Sequence, residues 1–159
     1  MRALAVAVTS FVAMEPVTYA VHRWLMHGPG EAVHRSHHRT RRSRLEANDA
    51  YPAVFATLTM ALLAAGFNVA GWAWLVPVAA GVSAYGILYV AVHDGCIHGR
   101  IPGLRRLRWQ VLGRLAGAHR VHHLYGGEPY GMLVPVVPRD LRARADRAAR
   151  DPLDRAPLS

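Results

Sequence analysis

Residues 50–93 read AYPAVFATLTMALLAAGFNVAGWAWLVPVAAGVSAYGILYVAVH, 44 positions without one Asp, Glu, Lys or Arg. As a single helix this stretch would be about 66 Å long, roughly twice the ~30 Å hydrocarbon core of a bilayer. It therefore predicts two membrane spans and a tight turn. The turn falls at Gly66-Phe67-Asn68-Val69-Ala70-Gly71, where poor helix formers cluster and Trp72 and Trp74 suit a membrane interface. The spans are then residues 51–67 and 73–92. Upstream, Ala3 to Val21 forms a third apolar run, interrupted by Glu15 and Pro16. A soluble, all-round-buried hairpin is the weaker reading, because a chain of 159 residues has too little other apolar surface to cover two such helices. The expected fold is an all-α integral membrane protein with about three spans.

Charge gives the expected orientation. Nineteen Arg and no Lys face ten acidic residues, a net charge of +9. Residues 28–48 carry Arg35, Arg39, Arg41, Arg42 and Arg44 against Glu31 and Glu46. Residues 99–123 carry Arg100, Arg105, Arg106, Arg108, Arg114 and Arg120 with no acid. The positive-inside rule puts both stretches in the cytoplasm and the N-terminus outside. The arginines flank apolar spans instead of forming a stripe with aromatics, so anionic headgroups, not nucleic acid, are the expected counter-charge. Residues 104–118 place Leu104, Leu107, Val111, Leu115 and Ala118 at helical spacing among four arginines, which reads as an interfacial helix. The membrane domain is expected to cover residues 1–138. A solvated tail rich in Arg, Asp and Ala, residues 139–159, follows it.

The histidines carry the chemistry. All ten lie in residues 22–38, 93–98 and 119–123. Each half supplies an H-x4-H pair, His22/His27 or His93/His98, and an H-x2-H-H triad, His34/His37/His38 or His119/His122/His123. On a helix the three triad rings project within an arc of roughly 100°, so a triad can give two or three nitrogens to one metal or share them between two. The pairs are harder to place. Five residues leave two rings about 140° apart on an α-helix, so a shared site needs the helix to end or bulge between them. Gly28 and Gly99, each directly after a pair, allow an end there. Spans between the halves bring all ten rings to one face.

Imidazole suits Fe, Zn, Cu and Ni, and ten His exceed what one zinc needs, whereas two metals fit the count. A single cysteine, Cys96, cannot make an internal disulfide or a Cys-based cluster, and small-residue packing is its expected role. No phosphate loop and no H-E-x-x-H is present. Glu31-Ala-Val-His34 is the only Glu-x-x-His, too little for the soluble di-iron bundle. Asp94, Glu46, Asn48 and Asp49 are candidates to orient imidazoles from behind, with helix capping the alternative.

His22-Arg-Trp-Leu-Met-His27-Gly, His34-Arg-Ser-His37-His38, Leu45-Glu46-Ala-Asn48-Asp49-Ala-Tyr51, Ala84-Tyr85-Gly-Ile-Leu-Tyr89, Val92-His93-Asp-Gly-Cys-Ile-His98 and Ala118-His119-Arg-Val-His122-His123 together resemble the bacterial β-carotene 3-hydroxylases. These belong to the membrane fatty-acid hydroxylase and sterol desaturase superfamily. The likeness covers roughly residues 12–138. After the last box the family tends towards Cys-Val-Ser-Phe-Gly-Phe, whereas this chain has Tyr130-Gly-Met-Leu-Val-Pro-Val. The resemblance implies a non-haem di-iron monooxygenase of the bacterial inner membrane. All ten His would be ligands to two irons, O2 the oxidant, a ferredoxin-type protein the electron donor and a carotenoid the substrate. Fatty-acid, sterol and carotenoid-ketolase chemistries of the superfamily are the rival activities. A metal-transport protein is the rival of another class.

Overall fold

The computed structural model describes residues 1–39, 45–107 and 109–141, and these are helical with no strand among them. The expected tail 139–159 lies almost wholly outside the described residues, as do Arg41, Arg42, Arg44 and Arg108. Three helices dominate: α1 (Arg2–Ala20), α3 (Ala50–Asn68) and α4 (Leu75–Tyr89), with short α2 (Glu31–His34) before α3 and α5 (Gln110–Tyr125) after α4. The apolar helical stretches run Arg2–Met26, Ala47–Asn68 and Leu75–Ile97, long enough to cross a membrane. The chain is an integral membrane protein.

The turn predicted at residues 66–71 is present. Helix α3 stops at Asn68, Gly71 takes a left-handed φ of 83°, and α4 starts at Leu75. Trp72 and Trp74 stay exposed there, as an interface turn requires. Pro52 and Pro77 sit in the first turns of α3 and α4, where the missing N–H has no helical partner to lose. Helix α4 is the centre of the bundle. It packs against both α1 and α3, which stay apart from each other. At Gly81 the absent side chain lets the Ala7 carbonyl of α1 approach, and a Cβ there would collide with it.

Helices α1 and α4 run in the same direction, and both loosen at the same end. Val21–Met26 and Val90–Ile97 are π-helical continuations. The interfacial helix expected over 104–118 is broken instead. Leu104–Arg106 is one 3-10 turn, Leu107 is extended, and α5 starts only at Gln110. Of the expected stripe, Ala118 is buried and Leu115 packs on the core, whereas Val111 points outwards. Leu112, Val121 and two histidines are also buried, so the inward face of α5 overlaps the expected one only in part. The histidines at its C-terminal half decide that face, because they must meet partners from three other elements.

Candidate metal centre

The π-turns resolve the H-x4-H pairs. An i→i+5 backbone bond stacks residues five apart one above the other. His27 N–H donates to His22 O at 3.1 Å, and His98 N–H to His93 O at 2.9 Å. The two rings of each pair therefore share a face that an α-helix would deny them. Gly99, at a left-handed φ of 63°, then ends the second π-turn.

Two clusters result. His22, His27, His34, His38 and His122 bring one ring nitrogen each to within 4.8 Å of one another, and so do His37, His93, His98 and His119. The tenth, His123, sits beside the second group with its Nε2 2.8 Å from that of His119. Each cluster takes the H-x4-H pair of its own half and the first and last His of its own triad. The middle His of each triad crosses: His37 joins the second half's cluster, His122 the first half's. Neighbouring residues on α5 point about 100° apart, which parts His122 from His123, and the turn that follows α2 likewise parts His37 from His38, so neither neighbouring pair aims at one centre. Crossing makes that divergence useful.

The nitrogens are arranged for cations. In the first cluster the Nε2 pairs 22/34, 34/38, 38/122 and 122/27 each lie 3.1 Å apart. In the second, 37/93 lie at 3.1 Å and 98/119 at 2.9 Å. Several of the outer Nδ1 atoms face acceptors: Tyr130 O for His22 at 3.0 Å, Asn48 Oδ1 for His34 at 2.7 Å and Gly127 O for His122 at 2.6 Å. Asp94 Oδ1 faces His93 at 2.8 Å, and Glu46 Oε2 makes a longer 3.5 Å contact with His37. A carbonyl or carboxylate only accepts, so these Nδ1 atoms carry the protons and the inward Nε2 atoms are bare lone pairs. Bare lone pairs 3.1 Å apart repel unless a cation lies between them. Imidazole nitrogens bound to one ion at about 2.0–2.1 Å lie roughly 3 Å apart, so the spacing seen here is that of rings able to share a cation.

Burial favours the neutral form of six of these rings, the form a metal requires. It pulls His34 down to about 4 and His38 to about 3, and holds His98, His119, His122 and His123 well below their ordinary value.

The orienting residues expected from sequence divide. Asn48 and Asp94 each hold an imidazole. Glu46 also forms a reciprocal capping box with Asp49, so both of its readings hold. Asp49 touches no histidine; it grips Arg100 through two 2.6 Å bonds, and Arg100 lies 3.6 Å from Asp94. Cys96 packs beside Val92, Leu112 and Met132. The carbonyls of Gly127 and Tyr130 were invisible in the sequence, since backbone acceptors leave no side-chain signal.

Below the clusters lies an apolar cavity of about 650 Å³, lined by Met14 and Thr18 of α1, Phe55 and Thr59 of α3, and Tyr85 and Tyr89 of α4. His22, His93 and His119 close its head. It occupies the gap between α1 and α3 with α4 as its floor, and it runs from the middle of α3 and α4 to the histidines.

Residues 7–140 match the fatty acid hydroxylase family. The chain belongs to that family, and with it to the hydroxylating oxidoreductases. This hydroxylase is 42% identical over 127 residues to the beta-carotene hydroxylase of Pantoea ananas, covering 80% of this chain and 71% of that one. It is 39% identical over 142 residues to the beta-carotene hydroxylase of Pseudescherichia vulneris, covering 87% and 80%. The chloroplastic beta-carotene 3-hydroxylase 1 of Arabidopsis thaliana is 35% identical over 137 residues, covering 82% of this hydroxylase and 43% of the plant protein. No solved structure matches the chain.

Proposed function

We propose that this hydroxylase inserts oxygen at ring carbon 3 of β-carotene, giving cryptoxanthin and then zeaxanthin, with all ten His holding two irons. One observation carries the reading: two clusters of inward-facing imidazole nitrogens close the head of an apolar cavity set between membrane helices. The names of the curated relatives supply the carotenoid. Bound iron would supply O2 activation. Per hydroxylation, O2, two electrons and two protons give one C–OH in place of C–H and one water.

The chain's own residues explain the rest. A substrate as apolar as lipid enters sideways through the gap between α1 and α3, which make no contact to close it. Phe55, Met14 and Tyr89 surround it with apolar surface and exclude water from the reacting carbon. Tyr130 lies edge-on to His22, His27 and His122 and covers the first cluster where it borders the cavity. The described arginines on the histidine side, Arg39, Arg100 and Arg106 among them, match a cytoplasmic orientation and an acidic ferredoxin-type donor. Metal transport is the poorer reading, since the clusters sit at span ends and not at mid-membrane.

Pigment analysis of a β-carotene-accumulating bacterial host expressing this chain tests the reading. Zeaxanthin or cryptoxanthin is expected. An unchanged pigment profile beside intact, iron-loaded protein would refute the carotenoid assignment.

A further inference from the structure

Residues 127–134 carry no candidate ligand, yet they touch both the imidazoles and the cavity. At one end the Gly127 and Tyr130 carbonyls accept from His122 and His22. At the other, the N–H groups of Met132, Leu133 and Val134 all donate to the Glu15 carboxylate, at 3.0, 3.0 and 2.9 Å from Oε1. The Tyr85 hydroxyl donates to Glu15 Oε2 at 2.7 Å and lies 2.8 Å from Thr18 Oγ1. A carboxylate inside a membrane span is costly unless its oxygens are satisfied, and here one from α1 is satisfied by a segment more than a hundred residues away. Between these two anchorages, Tyr130, Gly131 and Met132 form a wall of the cavity.

We infer that Glu15 is a positioning residue that determines which ring carbon is hydroxylated. The inference rests on the carotenoid reading above. An all-carbon ring offers no hydrogen-bonding handle, so only the shape of the wall can select among its carbons. Adjacent carbons are about 1.5 Å apart, so a wall displaced by that much presents the wrong one. Three backbone donors of residues 132–134 fasten the wall to the Glu15 carboxylate, and the Tyr85 hydroxyl, a fourth donor, fixes that carboxylate against α4. Gln at position 15 can keep its one oxygen on the three N–H groups and turn its NH2 to the Tyr85 hydroxyl. It nevertheless replaces a charged acceptor by a neutral one and gives up the second bond to Leu133, so the wall is held more weakly. Gly131 reports the same closeness independently: a Cβ on it would stand 3.1 Å from both Glu15 Oε1 and Val134 O.

The experiment is full product analysis, by position on the ring, of wild type, Glu15→Gln, Gly131→Ala and Met132→Ala in the carotenoid-producing host, with iron per chain measured on each purified protein. Wild type is expected to give carbon-3 products alone. The variants are expected to keep their iron while their products spread to carbons 2 and 4. β-Carotene bound to metal-free Glu15→Gln should show an altered induced circular dichroism, which reads its pose without turnover. Gly131→Ala and Met132→Ala move the wall with Glu15 in place, and Glu15→Asp, which keeps the charge but withdraws the carboxylate, tests the anchor itself if Glu15→Gln fails to fold. Iron-loaded variants that make carbon-3 products alone would overturn the inference while leaving the carotenoid reading intact. A wild type that makes no hydroxycarotenoid would take both down.

Discussion

The two histidine clusters are alike at their centres and unlike at their backs. In the first, the partners behind three rings are neutral: the carbonyls of Tyr130 and Gly127 behind His22 and His122, and the Asn48 amide behind His34. In the second, two rings are backed by carboxylates, His93 by Asp94 and, at longer range, His37 by Glu46, while the buried His123 Nδ1 has no hydrogen-bond partner among the described residues. Asp94 is itself steadied by Arg100, which Asp49 holds from the start of α3. A carboxylate behind an imidazole draws on its N–H proton and raises its basicity as a ligand, whereas a carbonyl mainly orients it. The pattern of ligands repeats, but the electrostatics do not. On the two-iron reading the second cluster is the firmer holder of metal, and the first is the one coupled to the cavity wall through Tyr130.

The largest expected effect tests whether the clusters are crossed as described. Replacing His37 and His93 together removes two rings from one cluster and should leave about one iron per chain, the first cluster's, on the two-metal reading. Replacing His34 and His37, two members of one triad, should empty both clusters. Product formation is lost in either case, so metal analysis is the discriminating readout. Equal iron in the two double variants would break the crossed arrangement.

That crossing shows where sequence reading stopped. The three spans, the 66–71 turn and the gathering of ten His followed from apolar runs and spacing, because local periodicity encodes them. Spacing also limited what a triad or a pair could do, and left the choices open. The choice at His22/His27 and His93/His98 was made by π-turns, which nothing in VHRWLM or VAVHDGCI announces. The choice at His37 and His122 was made by what stands opposite them, some sixty and ninety residues away in the chain. Glu15, read as a flaw in the first span, became intelligible only with residues 132–134 in place. The stripe at 104–118 held in part: Leu115 and Ala118 face inward on α5, but the helix begins only at Gln110, and its inward face is completed by buried histidines.

Acid should strike the metal-free protein next. His34 and His38 have values of about 4 and about 3 in the fold against 6.5 when unfolded, because burial opposes their charged form. The unfolded chain therefore takes up protons as pH falls below 6.5 while these rings stay neutral. Stability is full above 6.5, is lost as pH drops through the window to about 4 and about 3, and levels off below it. Thermal melting of the detergent-solubilised apoprotein across that window measures this. Gln at positions 34 and 38 should flatten the first cluster's share of the slope, and an unchanged slope would remove that cluster from the account.

A smaller effect ranks the outer partners directly. Asp94→Asn keeps the shape and an acceptor but removes the charge behind His93. It is expected to weaken the second cluster's metal by about 10- to 100-fold, the usual range for such partners. Asn48→Asp, the converse exchange behind His34, should tighten the first cluster. Competition against a graded chelator reads both. If Asp94→Asn left retention unchanged, charge would not be what distinguishes the two backs.

The smallest effect is expected at Glu46, where distance and chemistry pull apart. It is a carboxylate like Asp94, yet its contact with His37 is 3.5 Å against 2.8 Å for Asp94 with His93. At that length a hydrogen bond is weak, and the Glu46 side chain also accepts from the Asp49 N–H in the capping box that starts the turn before α3. Glu46→Gln preserves an oxygen for the cap and removes only the charge. Metal retention should therefore fall by less than about threefold, well short of the change expected at Asp94, with the melting temperature unchanged. Glu46→Ala removes the cap as well and should cost about 0.5–2 kcal/mol of stability. A loss of metal at Glu46→Gln as large as that at Asp94→Asn would mean that charge acts through the whole cluster regardless of contact distance. The second cluster would then owe its firmness to its summed negative surroundings, not to the one short bond on His93.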